Sequence, residues 1–326
     1  MTRASGRSWR AVAWQVGVIA LVVGAVAWLA HNTVANMAAR GIRTGFGFLF
    51  EAAGFDIGET PIAYQSFDPY WRAFLVGLLN TLRVALPGIV LATLLGALVG
   101  IGRLSRQALV RGLCHAYVEV VRNVPLLLQL LCLYLLLAEG LPDVFDAWHL
   151  GGVALLSKGG LSLPAPVWQG DGLVWSVPRA EGFAVEGGVT LSPEYVALLV
   201  GLVVYTSAFI AEVVRAGLLA VPRGQAEAAH SLGLTRGQAL RRIVLPQALR
   251  VIVPPLTGQY LNLTKNSSLA VAVGYPELIS VANTTINQTG RAVECVALVM
   301  AVYLALSLLT ALVMNRYNRS ILLKER

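Results

Sequence analysis

EAAHSLGLTRGQALRRIVLP, residues 227–246, sits between two long apolar runs yet carries Glu227, Arg236, Arg241 and Arg242. That charge makes it a loop on the basic side of a membrane rather than a span. Ala228 and Ala229 are strong helix formers with almost no side chain, so a partner's surface can approach the backbone there. Gly233 supplies a position free to turn sharply. Beyond it, Ala239, Leu240, Ile243 and Val244 recur at helical spacing. Pro246, lacking an amide proton, either ends that helix or kinks a span beginning just before it. The stretch therefore predicts two short helices at an angle, a compact knob offered to something outside the membrane. Glu227, near the start of the first, would accept hydrogen bonds from that partner or stabilise its own helix N-terminus.

Outward from this loop, composition sets the class. Of 326 residues, 56% are hydrophobic and 13% charged, against about 25% charged in a soluble domain. The net charge of +8 is distributed as short Lys and Arg clusters between apolar runs. Such clusters are orientation signals, not a nucleic-acid surface. Cys114, Cys132 and Cys295 all lie in apolar segments without a disulfide pattern or metal spacing.

Arg3, Arg7 and Arg10 precede the apolar residues 11–30. Ala25-Val26-Ala27 has the form of a signal-peptide cleavage site, but the run continues past it, so a retained first span is expected with the N-terminus inside. Residues 31–70 are mixed and belong outside, partly as an interfacial helix. Residues 71–101 exceed the ~20 residues a span requires. Interrupted by Asn80, Arg83 and Pro87, this second helix is tilted, kinked at Pro87 or projecting. Arg103, Arg106 and Arg111 mark the inside before a third span at 113–138, whose start places Glu119 and Arg122 where they can pair. Residues 139–192 form an outside insertion of short strands or hairpins. Its Trp148, Trp168 and Trp175 build either an interfacial belt or a small core.

A fourth span covers 193–217, with Glu212 and Arg215 spaced as an intrahelical ion pair. A fifth begins near Gln247, residues 275–291 return it outside, and a sixth ends at Met314. Inside segments hold three, three, five and four basic residues (3–10, 103–111, 223–250, 316–326); outside segments hold two, two and one (31–70, 139–192, 273–291). Six spans with both termini inside satisfies the positive-inside rule. The fold class is thus an all-α integral membrane protein in three parts: an extra N-terminal helix and outside segment (1–70), a core (71–314) carrying the insertion 139–192, and a tail (315–326). No internal repeat supports a transporter of inverted halves.

A charge at the bilayer centre costs about 2.5–3.5 kcal/mol, so it faces a cavity, a partner or another helix. Thr264-Lys265-Asn266-Ser267-Ser268 puts five polar side chains in the nominal fifth span. At about 100° per residue they cannot share one face, so this segment departs from regular helix or lines water. Lys265, Asn266, Ser267 and Ser268, with Gln129 from the third span, are the candidate substrate pathway. The alternatives are a snorkelling or carboxylate-paired Lys265, and helix–helix hydrogen bonding by Gln129, Asn123 and Arg122.

Glu227-Ala228-Ala229, three residues, Gly233, nine residues, then Ile243-x-Leu245-Pro246 resembles the signature of permease subunits of bacterial ABC importers. YVEVVRNVPLLLQL, AFIAEVVRAGLLAVPRGQAEAAHSLGL, LPQALRVIVPPL and LTKNSSLAVAVGYPEL are similar to permeases of polar amino-acid importers, and with NTLRVALPGIVLATLLG cover most of 71–314. The first span and the insertion depart from compact five-span members and resemble the general L-amino acid branch. Asn123-Val124 stands where that family typically has Gly-Thr. The resemblance implies a type I importer permease fold of about six transmembrane helices. It makes residues 227–246 the element that docks on a separate ATPase, through Glu227, Ala228, Ala229, Gly233, Ile243, Leu245 and Pro246. It further implies a dimer of ATP-binding subunits, a second and non-identical permease, a periplasmic amino-acid binding protein and the bacterial inner membrane. No cofactor is then expected on this chain, ATP and Mg belonging to the partner.

The motifs missing from the chain agree. No G-x4-G-K-[ST] cradle for ATP phosphates occurs, and no HExxH, GxSxG or SxxK of a hydrolase. An ATP-driven permease, a passive channel or secondary transporter, and a non-transporting scaffold remain. A channel needs no docking knob, which favours the first.

Overall fold

The computed structural model describes residues 9–39, 41, 44–169, 172–181 and 184–321. Arg3, Arg7, Arg40, Arg43, Lys324 and Arg326, part of the orientation argument, lie outside the described residues. Among the described residues, four helices are individually long and apolar enough to cross a membrane: α1 (Trp9–Ala39), α2 (Tyr70–Gly102), α5 (Pro193–Leu219) and α10 (Ala292–Ile321). Two bent pairs raise the count to six. α10 continues past Met314, so the expected tail begins as helix.

The expected third span is not one helix. α3 (Ala108–Asn123) and α4 (Leu126–Gly140) meet at 104°. Val124, preceding Pro125, is extended at φ −98 and ψ 129, as the proline ring demands of its neighbour. The carbonyls left open at the break are closed by Gln129, whose Nε2 donates to Val121 O at 2.8 Å and Val124 O at 2.9 Å. The expected Glu119–Arg122 pair does not form. Glu119 reaches His115 at 3.7 Å, and the Arg122 guanidinium lies 5.1 Å from the Phe209 ring centroid.

α2 instead runs unbroken through Pro87. Proline frees the carbonyl four residues earlier, and the Tyr195 hydroxyl of α5 donates to that atom, Arg83 O, at 3.0 Å. A neighbouring helix thus satisfies the freed backbone group. Further along, Gly96 and Gly100 let α2 and α5 approach closely. A Cβ on Gly96 would lie 2.6 Å from Ile210 Cβ, and one on Gly100 2.7 Å from Ala211 O.

Outside the spans, residues 44–69 are a strap rather than an interfacial helix. Only Phe46–Phe50 is helical, as one 3-10 turn, and Phe48 is buried with Tyr70, Phe74 and Leu278. Glu59 accepts from Arg83 at 3.2 Å and from Ser192, tying the strap to α2 and α5. After one 3-10 turn (Val144–Asp146), the insertion forms short strands and hairpins, as expected: a sheet of order β1-β2-β3-β8 (Trp148–Leu150, Ala154–Ser157, Gly160–Leu163, Val189–Leu191) and two hairpins, β4–β5 (Ala165–Gln169, Gly172–Ser176) and β6–β7 (Arg179–Glu181, Ala184–Glu186). Trp148, Trp168 and Trp175 are exposed, so they are not its core; Ala154 and Leu155 are buried.

Candidate functional site

The loop after α5 folds as two short helices. α6 (Arg223–Ser231) begins four residues before Glu227, so Glu227 lies past the first turn, where the helix dipole acts weakly. Gly233 at φ +80 closes α6. Its N–H donates to His230 O at 2.9 Å and that of Leu234 to Ala229 O at 3.1 Å. These two bonds make a Schellman turn, which wants glycine at this position. Thr235 then caps α7 (Arg236–Ala239) in a reciprocal capping box with Gln238. A π turn, Leu240–Val244, carries the chain straight into α8 (Leu245–Asn266). Pro246 therefore sits in the first turn of a span and does not end the second helix. Its missing N–H is tolerated there.

The angle between these helices buries Ala229, 1% exposed, and Ala239 within this chain. The expectation that Ala229 meets a partner is corrected: the outward alanine is Ala228. Glu227, Ala228, Gly233 and Pro246 are exposed, Ile243 is half-buried, and Leu245 is partly exposed. Leu232, at the tip, is 81% exposed, an apolar side chain without cover.

A second feature lies between α5 and α8. Tyr205, Thr206 and Phe209 face Gln259, Asn262 and Asn266 across an open cleft of about 380 Å³. Of the pathway residues expected from sequence, Asn266 alone lines it. The segment does leave regular geometry, becoming a 3-10 helix at Ser267–Val273. Ser267 is buried and donates to Thr264 O at 2.7 Å, a local bond. Ser268 is half-buried, and Lys265 is exposed with no hydrogen bond or ion pair among the described residues. Gln129 serves the α3–α4 break instead. Gln259 and Asn262 were missed, although with Asn266 they recur at spacings of three and four, one helical face.

Glu277 was also missed. Fully buried, it caps α9 (Leu278–Thr289) by accepting from Ile279 N at 2.7 Å and Ser280 N at 3.0 Å. Tyr303 of α10 donates to its other oxygen at 3.1 Å and Thr81 of α2 at 3.4 Å. One carboxylate thus joins three helices. Nothing local in its sequence separates it from an ordinary N-cap.

Residues 88–322 match the family described as binding-protein-dependent transport system inner membrane component. The chain is 44% identical to the putative amino-acid ABC transporter permease protein YhdX of Escherichia coli K12, over 97% of this chain and 95% of that one. It is 41% identical to the general L-amino acid transport system permease protein AapQ of Rhizobium johnstonii, over 98% and 94%. A crystal structure of an amino acid ABC transporter with histidines aligns at a TM-score of 0.56 and 25% identity, over 77% of this chain and 95% of that one. The MetNI methionine ABC transporter in an inward-facing form shares the fold, at a TM-score of 0.54 and 19% identity over 78% and 98%.

Proposed function

The chain belongs to the family of binding-protein-dependent transport system inner membrane components, and from that premise we propose that it carries L-amino acids inward as the permease of an ATP-driven importer. It is a multi-pass inner-membrane subunit, not the ATPase. Its relatives named as amino-acid permeases support the substrate class. A separate pair of ATP-binding subunits, with ATP and Mg, supplies the energy. A second, non-identical permease completes the passage and a periplasmic binding protein delivers substrate. Both termini are cytoplasmic. The passage follows the α5–α8 cleft, where amide and hydroxyl groups can exchange hydrogen bonds with a polar amino acid at little cost.

The observation that carries the coupling role is the knob itself. Force passes between subunits only through a rigid contact, and here two capped helices are locked around Ala229 and Ala239 with Leu232 projecting. Gly233→Val places a β-branched residue at positive φ, a strain of roughly 1–2 kcal/mol, and misdirects α7. Ala228→Trp puts bulk on the outward face while leaving the interior intact. Both variants should insert normally but lose binding protein–stimulated ATP hydrolysis and uptake in proteoliposomes. Unchanged uptake and hydrolysis in both would remove this loop as the coupling element.

A further inference from the structure

At the coupling-loop end of α2, α3 and α5, Arg103, Ala108, Arg111, Gly112, His115 and Arg215 line a hollow of about 400 Å³. Arg103 and Arg215 both pair with Glu212, which fixes their guanidinium groups. Arg103 Nη2 lies 3.4 Å from His115 Nδ1, and Arg111 Nη1 donates to Ser105 O at 3.2 Å. Three guanidinium groups stand against Glu212 and, beyond His115, Glu119, so the hollow keeps a net positive charge. No acidic side chain lines it. Gly112 and Ala108 leave its floor open, and a Cβ on Gly112 would touch nothing within 4 Å.

Its depth is set by α2. Residues 84–102 of α2 carry no charged side chain and cover about 30 Å, the thickness of the hydrocarbon layer, and Arg103 caps the helix where that run ends. Arg103 therefore stands at headgroup level, and its bond to Glu212 brings the end of α5 to the same level. α3 turns 104° from α4 here. Its Leu109, Leu113 and Val120 are exposed at spacings of four and seven, an apolar face without a partner among the described residues. Val118, on the opposite face, packs against Ala208 and Ala211 of α5, so this apolar face is turned away from the helix bundle. Ile101 and Leu104 are exposed beside the hollow.

We infer that this hollow binds the phosphate of an anionic phospholipid, whose acyl chains lie along the apolar faces of α2 and α3. Guanidinium forks suit phosphate oxygens, and basic pockets between helices at the membrane surface select anionic headgroups.

The test uses the full chain with its partner subunits in detergent, with phosphatidylglycerol, phosphatidylcholine or inorganic phosphate added, and bound lipid counted by native mass spectrometry. Phosphatidylglycerol should be retained in preference to phosphatidylcholine. Arg111→Gln should lower its occupancy about fivefold, Arg111→Lys should restore part of it, and Arg241→Gln should change nothing. Arg111 is exposed with one hydrogen bond to backbone, so its replacement spares the fold. Equal retention of both lipids, or an unaltered Arg111→Gln, would overturn the assignment. Displacement of the lipid by equimolar inorganic phosphate would overturn the lipid and leave a free-phosphate site. Neither readout depends on transport, so the result stands apart from the function proposed above.

Discussion

Lys265 leaves an ammonium group exposed one residue from Asn266 of the α5–α8 cleft, with no ion-pair partner among the described residues. An uncompensated charge inside a membrane costs about 2.5–3.5 kcal/mol on insertion scales. It persists only where water, another subunit or a charged cargo meets it. Pairing with a carboxylate of this chain, one reading open from sequence, is absent among these residues. Lys265→Met should therefore keep the complex assembled and change the relative uptake of acidic, neutral and basic amino acids. Uptake of all three at normal rates by an assembled variant would make the residue structural. The polar run 264–268 was legible as a cluster, because five consecutive polar residues in an apolar segment are conspicuous in one dimension. Its division was not. Thr264 and Ser267, three residues apart and so on one face, turn inward while Lys265 turns out, because packing against neighbouring helices selects which face is buried.

At the scale of elements, the α2–α5 contact depends on absent side chains. Apolar surface gains little by leaving lipid, so helices in membranes associate by close packing, which small residues permit. Gly96 and Gly100 are that permission here. Gly96→Ala places a Cβ 2.6 Å from Ile210 Cβ and should destabilise by about 1–3 kcal/mol. Gly258→Ala on α8 meets nothing within 4 Å and should be neutral or stabilising by roughly 0.5–1 kcal/mol. Thermal unfolding of the detergent-solubilised chain reads the two signs, and equal midpoints would refute the packing account. Helix breaks show the same dependence on neighbours. Pro87 and Pro125 look alike in sequence, yet α2 continues where Tyr195 answers the freed carbonyl and the third span bends where only Gln129 does.

For the whole molecule, alternation of more and less basic loops predicts the insertion outside and the C-terminus inside. In a background without Cys114, Cys132 and Cys295, Trp168→Cys should label from the periplasm with an impermeant maleimide, and Ser320→Cys should not. The reverse pattern would refute six crossings with both ends inside. The sequence by itself determined the membrane class, the strand-bearing insertion, the knob and the family. Each rests on a property that sums residue by residue: the cost of polar groups in lipid, the charge of loops, the turn a glycine permits. Only the tertiary structure decided that Ala229 faces inward, that Gln129 closes a break, that Asn266 shares its cleft with Gln259 and Asn262, and that Glu277 joins three helices. Those outcomes depend on which faces meet, and a helix carries several candidate faces until its neighbours select one.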